Sequence, residues 1–143
     1  MTTIRTHAIA AAAYQTVVSH RADPPKRRKK YGALAHKLPG LVLQNGLAQA
    51  TGFLLAKGEA EHLALLSDLT SILRGTGTTG AIDGAALHQE VIGADLAKTV
   101  TLTRRTLEAT SWIKRYVQGV LGLDATGDAT GDAPAPSDVG VGG

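Results

Sequence analysis

The sequence predicts an all-α protein: a single compact bundle of about five to six helices, residues 1–123, followed by a disordered Asp/Gly/Pro tail, residues 124–143. Three observations carry this. Aromatic residues are scarce, with one Phe, one Trp and three Tyr among 143 residues, so the core must be aliphatic, which favours packed helices over a β-sandwich. Apolar side chains recur at three- and four-residue spacing through most of the chain. Pro, Gly and Asp fall between those stretches, where helices start and stop. A chain of this length closes one modest core and is too short for two.

A first helix is expected from about Ile4 to His20, with Thr2 or Thr3 as cap and Ile9, Ala13 and Val17 on one side; Asp23, Pro24 and Pro25 end it. Residues 26–37 form a weaker segment, because its opening cations repel one another at i,i+4. Pro39 suits the first turn of a third helix that runs to Lys57 and Gly58. This helix is apolar over most of its circumference and is expected at the centre. Glu59 and Glu61 open a fourth helix that ends at Arg74, with charges that match its dipole. Gly75 to Gly80 reads as a flexible connector. Asp83 caps a short segment carrying Leu87 and Val91, and Asp95 caps a last helix ending near Leu123. In that helix Leu96, Val100, Leu107, Val117 and Leu121 are expected to face inward, flanked by Leu102, Ile113, Tyr116 and Val120. Lys98, Arg104, Arg105 and Arg115 lie mostly outside that arc. After position 123 a four-residue Asp-Ala-Thr-Gly repeat gives way to Pro and Gly, too poor in apolar side chains to offset the entropy of ordering.

The net charge of +3 conceals an asymmetry. Four of the twelve acids lie beyond position 123, where there is no Lys or Arg, so residues 1–123 set fifteen cations against eight acids and carry +7. A body this positive attracts polyanions, nucleic acid above all. The densest feature is the run Lys26, Arg27, Arg28, Lys29 and Lys30, able to neutralise several phosphates and release their counterions. Together with Lys37, Lys98, Arg104, Arg105 and Arg115 it makes the candidate nucleic-acid-binding set. Few aromatic, Asn or Gln side chains adjoin the run, so it is suited to phosphates rather than bases. An acidic protein partner is the alternative occupant.

Catalytic chemistry finds little support. There is no cysteine, which excludes disulfides, thiolate metal sites and cysteine nucleophiles and is compatible with a reducing compartment such as the cytoplasm. Gly75, Gly77 and Gly80 have the spacing of a dinucleotide-binding loop, but they follow a helical pattern where that motif requires a strand. His7, His20, His36, His62 and His88 make no ligand pair on one helix. Glu59, Glu61 and His62 share a helix start, where acidic residues ordinarily match the dipole. No enzyme activity, metal or cofactor is expected. No segment approaches the ~20 apolar residues of a membrane span, and no signal peptide is expected.

The stretch from Tyr31 to Gly58 contains Leu38-Pro39, Asn45-Gly46-Leu47 and Ala56-Lys57, and a late Trp112-Ile113-Lys114-Arg115 follows. These residues resemble the signature of the small subunit of type III-B (Cmr-type) CRISPR effectors, over roughly residues 5–120. The resemblance implies a helical, non-cleaving subunit that stacks in several copies along backbone subunits of an antiviral effector and helps to hold guide and target RNA. Guide pairing would supply the sequence specificity. A type III-A small subunit is similar in helical body and charge; the Leu-Pro and Asn-Gly-Leu context favours type III-B. A protein-interaction module with incidental RNA affinity is the other alternative.

Overall fold

The computed structural model describes residues 4–130. Among them the chain folds into α1 (Arg5–Val18), a 3₁₀ turn (Ser19–Ala22), α2 (Pro25–Asn45), α3 (Leu47–Lys57), α4 (Ala60–Gly75), α5 (Gly84–Ile92) and α6 (Leu96–Gly119). The described residues contain no strand, only an isolated bridge between Leu123 and Ala129. The all-α expectation holds, with six α-helices among them.

The junction between the second and third helices differs from expectation. Pro25 is the first residue of α2, where a missing N–H costs nothing, and the helix then continues through Pro39. That proline forfeits one backbone hydrogen bond, but Leu38 and Val42 on either side are 1% and 2% exposed, and their packing carries the helix onward. The break falls at Gly46, whose φ of 88° and ψ of 161° belong to a region that only glycine occupies readily. Residues 26–37 are therefore the first half of a 21-residue helix and not a separate weak segment.

The centre is α4, not the stretch 39–57. It packs against all five other helices, and Leu65, Leu66, Leu69, Ile72 and Leu73 are each at most 1% exposed. Burying each such side chain contributes roughly 1.5–3 kcal/mol. Helices α1 and α2 each pack against both α6 and α4, and α3 pairs with α5.

The caps form largely where the residues placed them. Asp83 accepts a hydrogen bond from the Ala86 N–H at 2.8 Å and Asp95 one from the Lys98 N–H at 2.9 Å. The connector after α4 is tied down: the Arg74 guanidinium donates to the carbonyls of Ala81 and Ile82, both at 3.1 Å, and the Thr79 hydroxyl donates to Glu90. For α1 the residue before the helix is Ile4, with no side-chain cap, and Thr2 and Thr3 lie outside the described residues.

The inward face of α6 is rotated from expectation. Leu102, Thr106, Ala109, Thr110, Ile113 and Val117 are buried, while Leu96 is 80% and Val100 44% exposed. Two stripes at helical spacing compete on this helix. The one with Ala and Thr at its middle lets α1 and α2 approach closely, and close approach decides which stripe goes in.

Of the tail expected from 124 onward, residues 124–130 are among the described residues and the remainder lies outside them. After Gly122 (φ 68°) the chain folds back as a short strap. The Thr130 N–H donates to the Gly122 carbonyl at 2.8 Å, and the Asp124 side chain accepts from the N–H groups of Thr126 and Asp128 at 2.9 and 3.1 Å. Leu123, 7% exposed, seats on Gly32, where a Cβ would stand 2.7 Å from its Cδ1. Gly127 (φ 84°) lies directly against the Lys29 carbonyl, leaving no room for a side chain. Repetition and polarity suggested disorder; one leucine and two close-approach glycines supply the docking instead.

Candidate nucleic-acid interface

Five consecutive residues of a helix point in five directions, because each step turns about 100°. The fold therefore divides the basic run. Arg28 turns back and its guanidinium donates to the carbonyls of Arg21 and Asp23, both at 3.0 Å, closing the 3₁₀ turn. Lys29 faces the strap and pairs with Asp128 at 3.0 Å. Lys26, Arg27 and Lys30 remain exposed around a hollow shared with Pro24, Ala60 and Glu61. Lys37, two turns further on, continues the line beside a second hollow lined by Lys30, Glu59, Glu61 and His62. Lys26, Lys30 and Lys37 are spaced four and seven apart and so share one side of α2. Among the described residues none of Lys26, Arg27, Lys30 and Lys37 has a salt-bridge partner.

This row starts where it does because of a polar cluster beneath it. The His20 ring stacks on the Tyr31 ring at 3.9 Å between centroids. Its Nδ1 lies 2.7 Å from Asp23, its Nε2 lies 2.7 Å from Asp68, and the Tyr31 hydroxyl donates to the same Asp68 oxygen at 2.7 Å. Burial by itself would depress the His20 pKa, but the hydrogen bonds and charges of Asp68 and Asp23 outweigh it and hold the imidazole above its ordinary 6.5. Burial, with the Asp68 charge, pushes the Tyr31 hydroxyl well above its usual range. The cluster ties the 3₁₀ turn and α2 to α4. Nothing in the sequence spacing joins His20 to Asp68.

On α6 the nominated cations also separate. Lys98 pairs with Glu90 at 3.0 Å, and Arg105 is half-buried. Arg104 and Arg115 are exposed and eleven residues apart, on one side of the helix. Lys114, absent from the set expected from sequence, joins Arg115, Ser111 and Gln118 in a groove against Pro39. Pro39 is two residues beyond Lys37, about 200° around the helix, so the α2 row and the α6 cations occupy different flanks. The nominated cations left without a partner among the described residues thus fall into two patches.

Aromatic side chains accompany the second patch, which the sequence did not reveal. Trp112 and Tyr116 stack at 5.5 Å with 26° between their planes, Tyr14 meets Tyr116 edge-on at 5.4 Å, and the Arg115 guanidinium carbon stands over the Trp112 ring at 5.5 Å. The i,i+4 spacing of Trp112 and Tyr116 was legible, but Tyr14 comes from α1.

Glu59, Glu61 and His62 come together more closely than their spacing suggested, with one potential ligand atom from each within 4.8 Å of the others. The first-turn N–H of Glu61 itself, helped by Glu59, His62 and Lys30, outweighs burial and holds the Glu61 carboxyl below its usual range. A metal ion there would face the positive end of α4 and the nearby Lys30 and Lys37. The arrangement suits a carboxylate capping a helix better than a cation site. The His62 Nδ1 is buried without a hydrogen-bond partner among the described residues.

No helix among the described residues is long and apolar enough to cross a membrane. A family model described as CRISPR-associated protein (Cas_Cmr5) matches residues 5–120. A Thermus thermophilus protein described as CRISPR system Cmr subunit Cmr5 is 35% identical over 117 residues, spanning 82% of this chain and 96% of that protein. The X-ray crystal structure of a CRISPR-associated Cmr5 family protein from the same organism is similar with a TM-score of 0.74 at 33% identity, covering 84% of this chain and 99% of that one.

Proposed function

The chain belongs to the CRISPR-associated Cmr5 family, and on that premise we propose that it is a non-catalytic small subunit of a type III-B effector that grips guide and target RNA by phosphate charge. It acts in the cytoplasm, stacked with further copies of itself along the backbone subunits. The observation that carries the RNA contact is the α2 row, Lys26, Arg27, Lys30 and Lys37, exposed and without salt-bridge partners among the described residues. The row is built on a helix fixed at its start by the His20 cluster. From Lys26 to Lys37 it extends about 16 Å at ~1.5 Å per residue, long enough to follow several phosphates of one strand. Such contacts set position without reading bases, and guide pairing supplies the sequence. Contacts with neighbouring subunits draw on a different surface: Ile92 and Leu96, 60% and 80% exposed, beside Val100 on the same helix as Leu96.

The test is the salt dependence of binding to a labelled guide–target duplex, followed by fluorescence anisotropy. Changing Lys26, Arg27, Lys30 and Lys37 to Gln is expected to flatten the log–log slope by about 0.7–0.9 for each phosphate that is no longer neutralised. Changing Lys29, already paired with Asp128, alters it little. An unchanged slope in the fourfold variant would reject the row as the RNA contact.

A further inference from the structure

The aromatic patch on α6 differs in chemistry from the α2 row. Leu107, Glu108, Ser111, Trp112 and Arg115 surround a shallow hollow of about 370 Å³ on the surface of α6. Its lining is apolar and aromatic from Leu107 and Trp112, and charged from Arg115 and Glu108. Tyr116, stacked on Trp112 and braced edge-on by Tyr14 from α1, holds the indole in place.

We propose that this hollow takes one unpaired base of a single-stranded RNA, stacked on Trp112 and covered by Arg115. The inference rests on the RNA-binding reading above and assigns it a second contact of a different kind. A planar ring sandwiched between indole and guanidinium needs about 7 Å, two contacts of ~3.5 Å. Arg115 already stands over the ring at 5.5 Å, so an outward movement of the exposed guanidinium by about 1.5 Å admits the base. Charge favours the same occupant: Arg115 lines the hollow and Lys114 the adjoining groove, against a single acid, Glu108. Glu108 can accept a hydrogen bond from an exocyclic amine, which favours bases that carry one. A protein partner has a more apolar surface to use further along, at Leu96 and Val100.

Trp112 is the only tryptophan, so its emission reports on this hollow alone. The experiment titrates the full chain with short single-stranded oligoadenosine RNA, reading tryptophan emission and anisotropy of the labelled strand together, with inorganic polyphosphate as the probe that has charge but no bases. The expected result is quenching that saturates with anisotropy for the RNA and binding without quenching for polyphosphate. Trp112→Ala is expected to weaken RNA binding roughly 5- to 150-fold, the range that stacking of one base supplies. Because that variant removes packing, Arg115→Gln serves as the second: the residue is exposed, and its loss is expected to weaken RNA more than polyphosphate. RNA that binds by anisotropy without changing the emission would overturn the base site while leaving the α2 row standing. Absence of RNA binding would overturn both. An emission change that follows protein concentration without RNA would assign the hollow to a second copy of the chain and overturn the proposal.

Discussion

Changing Asp68 to Asn tests the cluster that fixes the start of α2, and both its size and its pH dependence follow from the geometry. Asp68 receives the Tyr31 hydroxyl and faces His20 Nε2, each at 2.7 Å. Asp68→Asn leaves His20 its second carboxylate, Asp23, so the loss is that of one hydrogen bond to a charged group, roughly 1.5–3 kcal/mol, and with the Asp68 side chain 18% exposed about 2 kcal/mol is expected. Domains of this size are stable by about 0.05–0.15 kcal/mol per residue, roughly 6–20 kcal/mol in all, so the loss is a sizeable share, equivalent to a fall of roughly 6 °C in Tm. The sign with pH follows from a folded-state pKa of His20 above 6.5. Its contribution is fully present below about pH 6.5 and is lost as pH rises through the folded value, where the neutral ring turns a lone pair toward one carboxylate. Asp23 and Asp68 are the carboxylates facing the ring, and Tyr31 stays protonated throughout. Urea unfolding of both proteins at pH 6 and pH 9 is the assay. The stability gap is expected to be wider at pH 6, and Tyr31→Phe to cost about 1 kcal/mol at both values. A gap that stays constant, or widens at pH 9, would refute the imidazolium clamp.

Other consequences concern backbone and packing. Gly46→Ala is expected to cost about 1–3 kcal/mol from its φ and ψ alone, since no side chain crowds the position; Pro39→Ala, which restores a helical donor, is not expected to destabilise in the same urea assay. Gly127→Ala should release the strap from α2, seen as faster hydrogen exchange at the Asp124 and Thr130 amides, which donate within it. The Thr106 hydroxyl is buried without a partner among the described residues, so Thr106→Val is expected to raise stability by roughly 1 kcal/mol in thermal melts.

The sequence made the helical class legible because the aliphatic spacing and the Asp83 and Asp95 caps act locally. It misplaced the break before Leu47 because a proline looks decisive in isolation, whereas packing on two sides carries α2 past it and a positive-φ glycine ends it. It misjudged the face of α6 because two stripes fit the helical period, and only α1 and α2 choose between them. The strap escaped notice because its order depends on Leu123 meeting Gly32, which happens only across the fold. For the proposed interface, charge pointed to α2 and α6, but could not show that Arg28 and Lys29 are already engaged, nor that the remaining nominated cations divide into two patches with an aromatic ladder beside one.

The most direct test of the RNA grip is cross-linking of an assembled type III-B ribonucleoprotein containing this subunit, with the linked peptides identified by mass spectrometry. RNA adducts at Lys26, Lys30 and Lys37 are the expected result. RNA-free peptides across 26–37, with protein cross-links from a neighbouring subunit in their place, would contradict it.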